Sequence, residues 1–340
     1  MRYLVTGGTG FLGVHLVRSL LEHDHEVVVL ARTDAAALFG SELGNEHGVV
    51  VRKGDVLDEA SVRDAAAGCR GVFHCAGFVS RKPEDAEQIY RVHVDGTKTV
   101  LEAAREAGVE RVVHVSSSGT VAVSDDPEHI ATETDETPIT LIARWPYYRA
   151  KLFAEKAALE ANKPGFEVVS VNPTLLLGPG DTRGSSTEDV RLFLDRKIPM
   201  VPPGGVSFVD VRDAAEGARL AMDKGEPGDR YLLGAANMTL REFFAKLERV
   251  SKVRAPWIPM PRLPELAKLG AQAAKDVTKK LGLDFDVDPV SLDMAQFYWY
   301  LDATRAERVL GWTSREPMET LEDTVEDLRA RGVVWPEESA

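Results

Sequence analysis

Val5-Thr6-Gly7-Gly8-Thr9-Gly10-Phe11-Leu12-Gly13 is the stretch that decides the fold of this chain. It follows a short apolar run, residues 3–5, and it precedes apolar residues at helical spacing up to residue 21. A strand, a glycine-rich turn and a helix in this order form the setting that a dinucleotide-binding fingerprint requires. Glycines let the main chain approach a pyrophosphate, whose charge is stabilised by free N–H groups at a helix N-terminus. The alternative, an ordinary glycine-rich loop, does not explain why a strand precedes the glycines and a helix follows them.

Short apolar runs recur after the opening unit, with helical stretches between the later ones. The runs are residues 26–30, 49–51, 72–74, 112–115 and 168–171. The clearest helix spans about residues 87–107 and is followed by Gly108, a typical residue just beyond a helix. Such β-branched runs between helices indicate a parallel sheet that is buried on both faces. We therefore predict an α/β fold with a doubly wound parallel sheet, a Rossmann fold, which binds ligands at the carboxyl ends of its strands.

The composition of the chain changes after residue 172. Glycines and prolines become frequent, as at residues 178–186 and 199–205, and the predicted elements become shorter. We predict an NAD(P)-binding Rossmann domain over residues 1–172. The remainder, residues 173–340, is predicted to be a smaller substrate-binding region interleaved with the end of the sheet. An amphipathic helix is predicted over residues 263–281, and we expect it to pack on the protein body.

Bulk composition narrows the possible partners of the chain. The 340 residues carry a formal net charge of −13, which disfavours nucleic acid and anionic membranes as partners. The two cysteines, Cys69 and Cys75, are too few for a disulfide framework, and their spacing to the histidines predicts no metal site. Neither a secretory signal nor a membrane-spanning apolar run is apparent. We expect a cytoplasmic protein, and membrane contact is not expected.

A tyrosine and a lysine at helical spacing are the first candidates for catalysis. Tyr147 and Lys151 lie at positions i and i+4 after Pro146, a residue favoured at the start of a helix. A free phenol has a pKa of about 10, and a nearby ammonium group favours the phenolate form and lowers that pKa. The run Ser116-Ser117-Ser118 follows a predicted strand, where its hydroxyls could bind a carbonyl oxygen. Simple turn formation is the alternative for the serines.

Together these motifs resemble the extended short-chain dehydrogenases/reductases, over about nine tenths of the chain. The pattern around residues 172–181 and 228–234 is most similar to the dihydroflavonol-reductase-like branch, which neighbours the hydroxysteroid dehydrogenases. The matching motifs are Thr6-Gly7-Gly8-Thr9-Gly10-Phe11-Leu12-Gly13, Gly54-Asp55-Val56, His74-Cys75-Ala76-Gly77, Gly96-Thr97, Ser116-Ser117-Ser118, Tyr147 with Lys151, Asn172-Pro173-Thr174, Gly178-Pro179-Gly180-Asp181, Phe208-Val209-Asp210-Val211-Arg212-Asp213 and Leu301-Asp302-Ala303-Thr304-Arg305-Ala306.

The resemblance implies a role for each matching residue. Tyr147 is implied as the proton donor or acceptor, Lys151 as the group that lowers its pKa and binds the nicotinamide ribose, and Ser118 as the hydroxyl that holds the carbonyl. The implied cofactor contacts are Gly7, Thr9, Gly10, Phe11, Leu12 and Gly13 at the pyrophosphate, Asp55 and Val56 at the adenine, Ala76 and Gly77 along the ribose-phosphate stretch, Ser116, Tyr147 and Lys151, and Pro173 and Thr174 beside the nicotinamide.

Two positions depart from the pattern of this family. His93 stands where many extended members carry asparagine, and Gly77 stands where a second alanine is common. We expect His93 to pack in its helix, with a part in a proton relay as the alternative. Gly77 is a small change that should leave cofactor binding intact.

The residue after the second strand bears on the choice of cofactor. Arg32 stands there without an acidic residue before it, and arginine suits the 2′-phosphate of NADP, whereas NAD sites place an acid on the ribose hydroxyls. A solvated arginine is the alternative. We expect NADPH, with NAD as the second possibility.

The sequence predicts an NADPH-dependent reductase of a carbonyl group on an apolar small molecule. The competing enzyme hypothesis is a nucleotide-sugar epimerase with bound NAD, and the competing non-enzyme hypothesis is an NADP-binding redox sensor. The aromatic run at residues 297–300 is interpreted as core or pocket wall, with substrate stacking as the alternative. The partner is expected to be a small-molecule substrate, and the resemblance allows a homodimer through the helices that carry Gly96 and Tyr147.

Overall fold

A parallel sheet of seven strands forms the centre of the protein. The structure, a computed structural model, describes residues 1–33, 48–260 and 289–334. Its strands are β1 (Arg2–Thr6), β2 (Glu26–Ala31), β3 (Val49–Lys53), β4 (Gly71–His74), β5 (Arg111–Val115), β6 (Glu167–Pro173), β7 (Leu175–Leu177), β8 (Met200–Val201), β9 (Gly205–Asp210), β10 (Arg230–Leu233), β11 (Ala236–Thr239) and β12 (Ile258–Pro259). Seven of them pair in parallel in the order β10-β6-β5-β4-β1-β2-β3. The predicted doubly wound fold is confirmed.

Helices cover both faces of this sheet. They are α1 (Phe11–Glu22), α2 (Glu59–Ala66), α3 (Ala86–Tyr90), α4 (Gly96–Glu106), α5 (Ile139–Ile142), α6 (Pro146–Glu160), α7 (Glu188–Leu194), α8 (Val211–Lys224), α9 (Leu240–Ser251), α10 (Pro289–Met294) and α11 (Pro317–Ala330). Val5 packs with α1 and α8, whereas its neighbour Leu4 packs with α2 and α4 on the opposite face. Both side chains are fully buried. This burial explains why the strands are continuous apolar runs.

A smaller part of the molecule has its own core. The three-stranded sheet β11-β9-β7 packs against α9 and α11, and Phe193 stacks on Phe244 with ring centroids 5.6 Å apart. Strand β10, which follows α8, returns to the edge of the main sheet beside β6. No helix in the three described ranges is long and apolar enough to cross a membrane. The helix predicted over residues 263–281 lies outside the described residues.

The helix predicted over residues 87–107 is present but is not uniform. It begins as α3, widens into a π-helical turn over Arg91–Asp95 and continues as α4. Gly108 has φ +78°, the left-handed conformation expected of a residue that terminates a helix. A π-helical turn inside a helix is rare and is frequently found at functional sites. Sequence periodicity did not predict this turn.

Candidate active site

The carboxyl ends of the parallel strands bring the predicted site residues to one edge of the sheet. Because all seven strands run in the same direction, the loops that leave β1 to β6 lie side by side. The predicted residues are distributed along these loops, with Gly7 to Gly13 after β1, Arg32 after β2, Asp55 and Val56 after β3, Ala76 and Gly77 after β4, Ser116 and Ser118 after β5, and Pro173 and Thr174 at the end of β6. The structure therefore places them along the carboxyl edge of the sheet.

The turn after β1 accepts only glycine at its tightest points. Gly7 has φ +71°, and a Cβ atom at this residue would lie 2.6 Å from the main-chain nitrogen of Ala76. A Cβ atom at Gly13 would lie 2.1 Å from the carbonyl oxygen of Gly7. Real Cβ atoms do not make such contacts, so any larger residue would displace the main chain. These glycines bring the loop into close contact with the loop after β4.

The N-terminus of α1 can hold an anion. Its N-cap residue, Gly10, provides no side-chain cap, and the first bond of the helix runs from Val14 N to Gly10 O at 3.0 Å. The N–H groups of Phe11, Leu12 and Gly13 consequently have no main-chain partner within the described chain. Free N–H groups at the positive end of a helix dipole fit the pyrophosphate of a dinucleotide. The residues present therefore fit a nicotinamide dinucleotide.

The outer strands place two cations beside the expected adenosine end. Arg32 is exposed and directly follows β2. Lys53, also exposed, ends β3 and pairs in register with Ala31, the residue before Arg32. Asp55 begins the next turn, where its carboxylate accepts the N–H of Leu57 at 3.0 Å. The chain thus presents positive charge at this end of the cleft.

Helix α6 carries the tyrosine and the lysine, and it begins at Pro146 as expected. Lys151 is buried, and its Nζ donates to the carbonyl oxygen of Val115, the last residue of β5, at 2.9 Å. This hydrogen bond ties the helix to the strand end from which the serine run continues. Tyr147 lies one turn before Lys151 on the same face of this helix.

Burial shifts the protonation of this pair. Burial lowers the pKa of Lys151 to about 8, against the opposing effects of the Cys75 thiol and the Glu155 carboxylate. Burial also raises the pKa of Tyr147 above its ordinary value, and the neighbouring phenol of Tyr148 raises it further. The lowering of this pKa that was expected from Lys151 is thus not found: the pKa is raised, and at neutral pH the Tyr147 phenol carries its proton, the form that can donate to a substrate oxygen.

The three serines after β5 have different surroundings. Ser116 is buried and donates its hydroxyl to Glu155, so its assignment as a cofactor contact stays a prediction. Ser117 accepts the N–H of Gly119 at 3.3 Å and caps a short 3₁₀ turn over Ser118–Thr120. Ser118 is the first residue of that turn, which packs against α6. The serines therefore take part in a turn, which was the alternative interpretation, and this turn packs against the helix that carries Tyr147.

A buried carboxylate beneath the serines was missed by the sequence analysis. Glu155 accepts the hydroxyls of Ser116 and Thr120, the latter at 2.9 Å, and the amide of Asn172 at 2.7 Å. Arg230 on β10 donates to its other oxygen at 3.0 Å. This network joins α6, β5, β6 and β10 under the site. Its sequence signal was available, because Glu155 lies one turn after the predicted lysine on the same helix face.

Thr174, predicted to lie beside the nicotinamide, also supports the sheet. Its N–H and its hydroxyl both donate to the carbonyl oxygen of Leu233, at 3.0 and 3.2 Å. This links the end of β6 to the end of β10.

Across the described residues, no cluster of three or more histidine, cysteine or acidic side chains could hold a metal ion.

An aromatic cluster forms one wall of the site. Tyr148 packs against Tyr147 with centroids 5.1 Å apart and against Trp299 with centroids 4.9 Å apart. Trp145 lies 5.4 Å from Trp299, and a Cβ atom on Gly119 would lie 2.2 Å from the Tyr148 ring. The cluster therefore covers the 3₁₀ turn and borders the candidate proton donor. The aromatic run at residues 297–300 is thus part of a wall beside the site.

Comparisons with known proteins agree with this geometry. The model of the NAD dependent epimerase/dehydratase family matches residues 3–234. A putative dihydroflavonol 4-reductase of Synechocystis sp. is 33% identical over 98% of this chain and 96% of its own length. Sterol demethylase protein B of Methylococcus capsulatus is 32% identical over 98% of this chain and 100% of its own length. The solved structure of gox2253 has a TM-score of 0.82 at 26% identity and covers 98% of this chain and 99% of that one. The chain therefore belongs to the NAD-dependent epimerase/dehydratase family, within the dihydroflavonol-reductase-like branch of the extended short-chain dehydrogenases/reductases, and is an NAD(P)-dependent enzyme.

Proposed function

We propose that the protein is an NADPH-dependent reductase of a ketone or aldehyde on an apolar small molecule. The observation that carries this proposal is the fixed relation between α6 and the end of β5. The Nζ of Lys151 donates a hydrogen bond to the carbonyl oxygen of Val115, and the turn that begins at Ser118 packs on the same helix. The helix that carries Tyr147 and Lys151 therefore packs against the turn that carries Ser118, which supports a shared role for the three residues. Reductases of carbonyl groups are also among the similar proteins.

Each residue of this group has a defined task. A bound nicotinamide supplies the hydride to the carbonyl carbon. Tyr147 donates its phenolic proton to the carbonyl oxygen, and the Ser118 hydroxyl donates a hydrogen bond to the same oxygen. Lys151 holds a positive charge beside the phenol, which stabilises the phenolate left by proton transfer. General acid catalysis of this kind contributes about 10²- to 10⁴-fold in rate.

The aromatic cluster supports an apolar substrate. Tyr148 packs against the phenol of Tyr147 and against Trp299, so ring faces and edges border the proposed proton donor. Aromatic walls bind flat apolar groups through offset or edge-on packing. A substrate with a ring next to its carbonyl suits this wall.

Arg32 and Lys53 support NADPH over NADH. Both side chains are exposed at the adjoining ends of β2 and β3. The planar guanidinium group can bind a 2′-phosphate in a bidentate manner, and a nearby ammonium adds a second charge. The ribose hydroxyls of NADH offer no such charge.

The first experiment follows NADPH oxidation at 340 nm with a panel of aldehydes, ketones, flavanonols, 3-ketosteroids and nucleotide sugars, with NADH in parallel. We expect turnover of an apolar carbonyl compound. Tyr147→Phe should lower kcat by at least about 100-fold, the lower end of the contribution of a general acid, while NADPH binding is retained. Tyr90→Phe, which removes an exposed phenol from α3, is the matched control.

Two results would replace this proposal. Interconversion of a nucleotide sugar without net change of cofactor would identify an epimerase. Unchanged function of the Tyr147→Phe protein, together with intact NADPH binding, would identify a non-catalytic sensor.

A further inference from the structure

A side chain at residue 77 and the ring of His93 would compete for the same space. A Cβ atom on Gly77 would lie 2.7 Å from Cε1 of the His93 ring, closer than real Cβ atoms approach a neighbour. Gly77 belongs to the loop after β4, and His93 belongs to the π-helical turn before α4. The small residue in the loop therefore makes room for the large ring in the helix.

The His93 ring is held in a fixed orientation. It is buried, and its Nε2 lies 3.1 Å from the carbonyl oxygen and 3.2 Å from the N–H of Phe78. Burial and the charge of Lys151 keep the pKa of His93 well below its ordinary value, so the ring is neutral. The carbonyl oxygen of His93 accepts the Thr97 hydroxyl at 2.5 Å. The loop thus holds the His93 ring through Phe78, and α4 holds the main chain of His93 through Thr97.

The ring that is held in this way packs against the candidate proton donor. His93 and Tyr147 meet edge to face, with centroids 5.4 Å apart and planes at 86°. Tyr148 packs against the same phenol, also nearly perpendicular, at 80°. The Tyr147 ring therefore packs nearly perpendicular to both an imidazole and a second phenol, a geometry that aromatic pairs favour.

We propose that Gly77 and His93 act as a steric pair that positions the phenol of Tyr147, a role that rests on the proposed reductase function. The imidazole is a positioning residue and exchanges no proton with substrate. The glycine is required because any side chain at residue 77 would push the ring toward or away from Tyr147. The two departures from the family pattern are then one feature of this chain.

The test compares four proteins: the parent, Gly77→Ala, His93→Asn and Gly77→Ala/His93→Asn. Asparagine is shorter than histidine, so the alanine methyl group can enter the space that the ring leaves. We expect Gly77→Ala to lower kcat about tenfold more when His93 is present than when residue 93 is asparagine, which corresponds to about 1.4 kcal/mol of coupling. KM for the carbonyl substrate should change less than kcat. His93→Gln is a second ringless variant if the asparagine protein proves unstable.

The position of Tyr147 is measured without substrate by NMR of ¹³C-labelled tyrosine. The Tyr147 signal is identified by its loss in Tyr147→Phe. It should shift in His93→Asn, because the ring current of the imidazole is removed, and in Gly77→Ala, but adding Gly77→Ala to His93→Asn should not shift it further. Additive shifts, or a Tyr147 signal that ignores both replacements, would overturn the proposal. If no carbonyl compound is reduced by the parent protein, the reductase function fails while this NMR cycle still decides the pair.

Discussion

Replacing Glu155 with glutamine tests whether the buried network beneath the site is built around a charge. In the structure one carboxylate oxygen accepts three donors, from Ser116, Thr120 and Asn172, and the other accepts Arg230. Glutamine has nearly the same shape but only one accepting oxygen. If that oxygen serves the first three donors, the amide NH₂ group faces the guanidinium, and two donors then point at each other.

The expected loss follows from this mismatch. Hydrogen bonds to charged groups contribute about 1.5–3 kcal/mol each, and the Arg230 side chain is 22% exposed, so water recovers part of the loss. We expect Glu155→Gln to lower the free energy of unfolding by about 2–3 kcal/mol. With an unfolding entropy of about 2.1 cal/mol/K per residue, a chain of 340 residues should lose about 3–4 °C in Tm.

The same replacement should also change the pH dependence of the reaction. The Glu155 carboxylate raises the pKa of Lys151, which burial holds at about 8. Without that negative charge the pKa of Lys151 falls. Since the protonated ammonium is the active form, kcat decreases as pH rises through this pKa, and the decrease should begin at lower pH in Glu155→Gln. Profiles of kcat between pH 6 and pH 10, with NADPH saturating, measure this shift.

Glu160→Gln is the matched control, because Glu160 lies on the same helix with its side chain exposed and a 3.8 Å ion pair to Lys156. Surface pairs of this kind contribute about 0.2–1 kcal/mol, so its Tm and its pH profile should stay close to those of the parent. The link between the network and Lys151 would be refuted if Glu155→Gln had the same Tm as the parent and if its kcat decreased at the same alkaline pH. If kcat instead decreased at a higher pH than in the parent, the claim that Glu155 raises the pKa of Lys151 would be refuted.

Three further predictions concern the cofactor and assembly. Arg32→Ala should raise KM for NADPH by about 10- to 100-fold and leave KM for NADH nearly unchanged, because only the 2′-phosphate loses a charged partner. Gly7→Ala should abolish NADPH binding and lower Tm by more than Gly108→Ala, since both glycines have positive φ but a Cβ atom at Gly108 meets nothing within 4 Å; equal Tm losses would refute the clash. We also expect a homodimer through the helices that carry Gly96 and Tyr147; the exposed rings of Tyr90 and Phe153 lie beside them with centroids 6.5 Å apart, and Phe153→Asp should yield monomers in light scattering.

Much of the fold could be predicted from the sequence because the signals were local. Each central strand is a run of four to seven residues, nearly all buried, so its apolar character needs no knowledge of its neighbours. The glycine turn was equally readable, because positive φ at Gly7 and the crowding of Gly13 permit no other residue. The start of α6 at Pro146 followed from its fixed backbone angle.

The network under the site could not be predicted in this way, since its members come from distant parts of the chain. Arg230 reaches Glu155 only because β10 returns to the main sheet beside β6. The order of the strands depends on how whole helices pack on the sheet, so no short sequence motif predicts it. The sequence analysis found Tyr147 and Lys151 but missed Glu155 on the same helix, because the partners of Glu155 on β6 and β10 come together with it only in the folded chain.

The π-helical turn at Arg91–Asp95 shows the same limit at smaller scale. Apolar periodicity predicted a plain helix here, and the two departures at Gly77 and His93 were interpreted separately, one as harmless and one as packing. Only the folded chain shows that a Cβ atom on the first would strike the ring of the second. A glycine that appears permissive in sequence is thus required by its neighbour. Residues that depart together from a family pattern are best tested together, because each replacement alone measures the clash or the gap rather than the function.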